Sequence, residues 1–208
     1  MSALSLVLAA SALASSLDAP ASTAAPTTTT IDPGSLSQTS VEPSFGAPLT
    51  HQMNALWTDL RTNSVARAES LFFPRSAYLK MKTGLLPNPS ADYAERLIAF
   101  YELDVTAYHR YLLSGGAATL VRVTFNRADA AWIAPGHCEN LIGYWHLPGV
   151  RFVYRHARKE FSVAVASLIS WRGVWYVVHL GPNPRPSDVG TVDSPSSGPG
   201  TPGPAGGC

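Results

Sequence analysis

Residues 160–180 read Glu160-Phe161-Ser162-Val163-Ala164-Val165-Ala166-Ser167-Leu168-Ile169-Ser170-Trp171-Arg172-Gly173-Val174-Trp175-Tyr176-Val177-Val178-His179-Leu180. Phe161, Val163, Val165, Ser167, Ile169 and Trp171 occupy alternate positions, the period of a strand with one buried face. Arg172-Gly173 supplies a two-residue hairpin turn, and Val174 to Leu180 returns as the partner strand. The other face of the long strand (Ser162, Ala164, Ala166, Leu168, Ser170) is mostly small, which predicts a helix lying close against it. By simple alternation, His179 shares a face with Trp175 and Val177.

Working back from this hairpin, Ala157-Arg158-Lys159 reads as a turn and Val150 to His156 as a strand. Residues 127–149 contain Pro135-Gly136 and Pro148-Gly149, and are expected to be a long loop or short irregular strands. Val121, Val123 and Phe125 alternate with Arg122, Thr124 and Asn126, a further half-buried strand. Before Gly115-Gly116 the period changes to 3.6. Tyr93, Leu97, Tyr101, Tyr108 and Leu112 form one stripe of a helix running from an N-cap at Ser90 to Ser114, with Asp104 on the same stripe. Residues 75–90 read as a loop. Met53, Leu56, Trp57 and Leu60 form an earlier helix, interrupted at Thr62-Asn63-Ser64, resumed by Val65, Ala68, Leu71 and Phe72, and ended by Pro74. Helices grouped ahead of strands predict an α+β domain, with N-terminal helices packed on a curved, mostly antiparallel sheet of about four strands.

Composition divides the 208 residues. All eight Tyr, all five Trp and all six His fall within 51–181, the predicted domain. Residues 15–50 are rich in Ser, Thr, Ala and Pro, and residues 182–208 in Pro, Gly and Ser. Both are expected to be disordered, because they hold too little apolar surface to offset the entropy of ordering a backbone. A net charge of +1 gives no field that favours nucleic acid. No Gly-rich phosphate loop, Gly-x-Ser-x-Gly elbow or His-Glu-x-x-His occurs, and no cofactor is implied.

Residues 3–14, Ala3-Leu4-Ser5-Leu6-Val7-Leu8-Ala9-Ala10-Ser11-Ala12-Leu13-Ala14, are uncharged and apolar and end on a small-x-small pattern. They predict a signal peptide over 1–14 and a protein that is secreted or held in the cell envelope. The basic n-region is missing, which points either to a start upstream of Met1 or to a weak signal. No other uncharged stretch approaches the roughly 20 apolar residues of a spanning helix, so none is expected in the mature chain. Cys138 and Cys208 are the two cysteines, and an even count in an exported chain predicts a disulfide. An intrachain bond would close a loop of about 70 residues and restrict the unfolded chain by on the order of 4 kcal/mol. The alternatives are a disulfide-linked dimer or an unoxidised thiol.

The element order, Leu56-Trp57-Thr58-Asp59-Leu60-Arg61 before the helix break, Ala68-Glu69-Ser70-Leu71-Phe72-Phe73 after it, and the hairpin from Trp171 to Leu180 resemble the nuclear transport factor 2-like fold, the cystatin-like cone. The resemblance spans 51–181. It implies a sheet wrapped around helices to leave a pocket, in a family that includes isomerases, dehydratases and hydrolases as well as non-catalytic binding and assembly modules. Its ketosteroid isomerases use a Tyr with two acidic groups; here Tyr93, Tyr101, Tyr108 and Asp104 are available. The chain also resembles exported proteins of GC-rich bacteria that share the hairpin and a Pro/Gly tail ending in Cys.

His137, Cys138, Glu139 and His146 carry metal-donor atoms, but their spacing fits no zinc pattern, and no metal site is expected. A disulfide-pinned loop, with Tyr144 and Trp145 capping the open end of the sheet, accounts for the same cluster. His179 is a general-base candidate or a hydrogen-bonded structural His. Asp104, with Tyr101, Tyr108 and His109, forms either an acid–base set or a structural salt bridge, Arg122 being the partner expected for it. Two functions follow. The first is a non-enzymatic domain binding an unknown protein or small ligand through Tyr101, Asp104, Arg122, Trp145, His146 and His179, with dimerisation as an option. The second is a small-molecule lyase, isomerase or hydrolase using Asp104, His179, Tyr101 and Tyr108. Intact mass of the exported protein is expected to lack residues 1–14 and to rise by the mass of two hydrogens on reduction; a mass that retains those residues contradicts the cleavage.

Overall fold

The computed structural model describes residues 31–185 and 188–203, so the expected signal peptide and Cys208 lie outside the described residues. Helix α1 (Ala47–Thr62) starts with Pro48 in its first turn, ahead of the expected His51, and buries Leu49, Met53, Leu56, Trp57 and Leu60 along one stripe. Asn63 breaks it by adopting the left-handed conformation at φ 51°, its N–H capping the carbonyls of Asp59 and Leu60. Helix α2 (Val65–Ala68) and a 3-10 turn (Glu69–Leu71) follow.

Residues 75–90 are not simply a loop, because α3 (Arg75–Lys82) occupies their first half. It buries only Ala77, Tyr78 and Met81, too few positions to reveal a helical period. The next helix is capped by Asn88, not Ser90: the Asn88 side chain accepts the Ala91 N–H at 3.1 Å, with Pro89 in the first turn. It runs as α4 (Pro89–Ala91), a π-helical stretch (Asp92–Leu97) and α5 (Ile98–Ser114), which buries Tyr101, Asp104, Val105, Tyr108 and Leu112.

Among the described residues the sheet has six strands where about four were expected. They are β1 (Ala118–Thr124), β2 (Ala131–Ile133), β3 (Tyr144–His156), β4 (Lys159–Trp171), β5 (Val174–His179) and β6 (Asp193–Ser197), and every pairing is antiparallel. The long strands β3 and β4 pair from His146↔Ile169 to His156↔Lys159. Both β1 and β2 pair with β3, while β5 and β6 pair with β4. Arg172 and Gly173 both have positive φ, 53° and 76°, as a tight hairpin turn matched to strand twist requires. A bulge between Leu120 and Arg122 leaves Val121 38% exposed, so it does not face inward as alternation predicted.

Trp57 packs on Phe152 and Tyr154 at ring separations of 5.5 Å, joining α1 to β3, and Phe72 lies 4.6 Å from Tyr101 of α5. Chain outside 51–181 joins this core. Trp171 Nε1 donates to the Pro33 carbonyl at 3.0 Å, Gln38 Nε2 to the Ser170 carbonyl at 2.9 Å, and Phe45 packs against Trp175. On the C-terminal side, β6 pairs with β4, and buried Arg151 donates to Ser162 Oγ and to the carbonyls of Ser194 and Thr201. The small residues of β4 thus make room for Arg151 and the returning chain, where a helix was expected.

Glycine in this segment permits close docking. A Cβ on Gly190 would sit 2.1 Å from the Leu103 carbonyl oxygen, and one on Gly203 would sit 2.8 Å from the Gly149 Cα. Gly190→Ala is therefore expected to lower stability by about 1–3 kcal/mol in urea denaturation; an unchanged midpoint would mean that this segment does not pack on α5 in solution.

Candidate functional site

Asp104 is 1% exposed, and its carboxylate receives four donors. Arg185 reaches both oxygens, Nη1 to Oδ1 at 2.9 Å and Nη2 to Oδ2 at 2.6 Å. The backbone N–H of Gly181 bonds Oδ2 and that of Thr191 bonds Oδ1, each at 2.9 Å. The Arg185 guanidinium is also buried, and it lies 4.4 Å from the Phe100 ring centroid. The carboxylate partner is therefore Arg185. Arg122 instead forms an exposed pair with Glu160 at 3.2 Å, because the β1 bulge sits beside it and β1 lies across the sheet from the C-terminal chain.

The tyrosines on the stripe are likewise committed. Tyr101 donates to the Ala68 carbonyl at 2.8 Å. The Tyr108 hydroxyl shares its proton between the carbonyls of Ala164 (2.5 Å) and Leu180 (2.9 Å), and accepts the Asp193 N–H at 2.9 Å. It fills the place where β5 has left β4 and β6 has not yet joined. Burial raises both phenols above their ordinary range, so they remain protonated. Trp145 Nε1 donates to the Ser40 carbonyl at 3.0 Å, and its ring meets Trp132 edge-on. Asp104, Tyr101, Tyr108, Arg122 and Trp145 do not line the cleft that follows.

The other two sequence-predicted residues do. A cleft of about 1190 Å³ is lined by His146 and His179 together with Tyr78, Met81 and Lys82 of α3, Asp92, Arg96 and Leu97 of the π-helical stretch, and Ser167 and Ile169 of β4. His179 reaches it through a register change. Trp175 pairs with Ser170 and Val177 with Leu168, but His179 pairs with Ser167, leaving Val178 as the extra residue. This bulge takes His179 off the face of Trp175 and Val177, where alternation had placed it, and sets it beside Ser167. Across the ladder, His146 pairs with Ile169, and its Nε2 lies 2.7 Å from Ser167 Oγ. His146, Ser167 and His179 therefore share one face at the floor of the cleft.

Burial lowers the His179 pKa to about 4, helped by the positive charges of Arg96, Arg185, His146 and Lys82; its Nε2 is 3.1 Å from Asn183 Nδ2. The imidazole is neutral at pH 7. Arg96 is bound to Asp92 through both Nε and Nη2, and this hydrogen bonding holds the Asp92 carboxyl below its usual value. Burial also lowers the Lys82 pKa; its ammonium donates to the Glu139 carbonyl at 2.9 Å. Cys138 lines the same cleft. No group of three or more His, Cys, Asp or Glu among the described residues converges as a metal would require.

Sequence reasoning missed Ser167, Lys82 and the Asp92–Arg96 pair as cleft residues. Ser167 has the pattern of an ordinary strand position, and α3 buries too few residues to show a helical period. No helix among the described residues is long and apolar enough to cross a membrane. No family model, curated protein or solved structure matches this chain.

Removing the charge of Asp104 while retaining its shape leaves the Arg185 cation buried. Asp104→Asn is expected to cost about 3–5 kcal/mol in urea unfolding, whereas Arg122→Ala should stay within about 1 kcal/mol. Equal losses would contradict the different weights given to these two pairs.

Proposed function

We propose that the chain is a non-enzymatic binding domain, exported to the envelope or extracellular space, which takes a small ligand in the cleft between α3, the π-helical stretch and the sheet. The observation that carries this reading is the cleft itself: apolar side chains from Phe73, Met81, Leu86, Leu97 and Ile169 interleaved with charged and polar groups, among them Lys82, Arg96, Glu139, His146, Arg151 and His179. The commitment of Asp104, Tyr101 and Tyr108 to structural bonds weighs against the lyase, isomerase or hydrolase alternative, since only His179 of that acid–base set faces the cleft.

The cone of the nuclear transport factor 2-like fold is part of the same proposal. Its support is the order of helices before an antiparallel sheet and a cleft bounded by both. Export rests on residues 3–14 alone. We also propose a Cys138–Cys208 disulfide. Gly203 bonds the Gly149 carbonyl at 3.1 Å, and both glycines line the cleft that Cys138 lines; the five following residues span up to roughly 17 Å when extended.

A thermal-shift screen of small amphipathic compounds tests the binding reading. A ligand at about 100 times its Kd should raise Tm by roughly 5–10 °C, and Ile169→Trp, which fills the cleft, should abolish the shift. A screen without a stabilising compound, or a shift that survives Ile169→Trp, would remove the cleft as the binding site.

A further inference from the structure

A second pocket, of about 560 Å³, lies where the β3–β4 hairpin meets the last turn of α5, and it shares no lining residue with the cleft. Strand alternation builds one side of it. The ladder pairs Tyr154↔Phe161 and His156↔Lys159 set four side chains on one face of the sheet. Arg155 and Glu160 alternate to the opposite face, where Glu160 pairs with both Arg155 and Arg122. Tyr111, Ser114 and the capping Gly115 close the other side. The absence of a side chain at Gly115 makes room for the imidazole, because a Cβ there would sit 3.0 Å from His156 Nε2. The His156 ring stands edge-on to Tyr154 and Phe161, with centroids 5.2 and 5.8 Å away.

The lining is ring-rich: among the described residues no Leu, Ile, Val or Met contributes to it. Ring edges and faces favour another ring over saturated hydrocarbon. The charged residues of the lining are Arg158 and Lys159, at the exposed hairpin turn, and no carboxylate lines the pocket. Neither cation forms an ion pair among the described residues. Two unpaired cations at the mouth favour an anion there, whereas the negative end of the α5 dipole disfavours one placed deeper. We propose that this pocket is a second ligand site, which takes an aromatic anion. Its ring lies among Tyr111, His156 and Phe161, and its carboxylate or phosphate lies against Arg158 and Lys159. This assignment does not depend on what the cleft binds.

Isothermal titration calorimetry of the full chain with 2-naphthoate, 2-naphthamide and decahydro-2-naphthoate tests the charge and the ring separately. Naphthoate should bind about tenfold more tightly than its uncharged amide, and about fivefold more tightly than the saturated acid. Replacing both cations (Arg158→Ala with Lys159→Ala) should remove the first preference, and Tyr111→Leu should narrow the second. All three side chains are exposed, so the fold should be retained. Ile169→Trp, which fills the cleft, should leave naphthoate binding unchanged. Equal affinity for naphthoate and the amide overturns the charge assignment, and equal affinity for the saturated acid overturns the aromatic one. Binding that is lost in Ile169→Trp but kept without the two cations belongs to the cleft and overturns the second site. Failure of all three probes to bind overturns it too, and leaves the cleft to be judged by the thermal-shift screen.

Discussion

A carboxylate removed from water must be given as many donors as water supplied, and Asp104 receives four from chain that lies more than seventy residues further on. That requirement organises the C-terminal part of the molecule. Gly181 fixes where the chain leaves β5, Arg185 brings a cation under cover of Phe100, and Thr191 redirects the backbone toward β6. Two residues after Thr191, the Asp193 N–H meets the Tyr108 hydroxyl, one turn along α5 from Asp104. Helix α5 thus offers two polar anchors on an otherwise apolar stripe. Each is matched by chain whose composition alone gave no sign of order.

The α+β class, the broken first helix, the long central helix and the hairpin at Arg172-Gly173 were all legible, because each depends on a local period or a turn preference. What was not legible depends on pairing partners. Arg185 stands in a Pro/Gly-rich segment and has no local pattern that points to Asp104. Likewise, β6 contains Pro195 and three serines, poor strand material that is recruited because the edge of β4 is open beyond β5. Low hydrophobicity was read as too little apolar surface for order, but backbone pairing and a buried ion pair hold this segment.

The cleft shows the same limit at finer scale. His146 and His179 were both noticed as polar residues among aromatics, yet the side on which His179 emerges depends on one extra residue, Val178. A bulge has no reliable signature in a run such as Val177-Val178-His179, where neighbouring residues are all compatible with a strand. The π-helical stretch is equally silent in sequence. It carries Asp92, Arg96 and Leu97 to the cleft within a helix whose apolar spacing otherwise looks ordinary.

The Asp104 clamp also imposes an order in time. During synthesis, residues up to Leu180 emerge with nearly all of the apolar core, but a core closed at that stage would bury Asp104 without its cation. Only when Arg185 and Thr191 have left the ribosome does closure become favourable at this position. Before then the chain is biased toward an open, solvated state. If the protein is exported as proposed, this bias suits a polypeptide that must remain extended for threading through a membrane channel, with the seal forming on the far side.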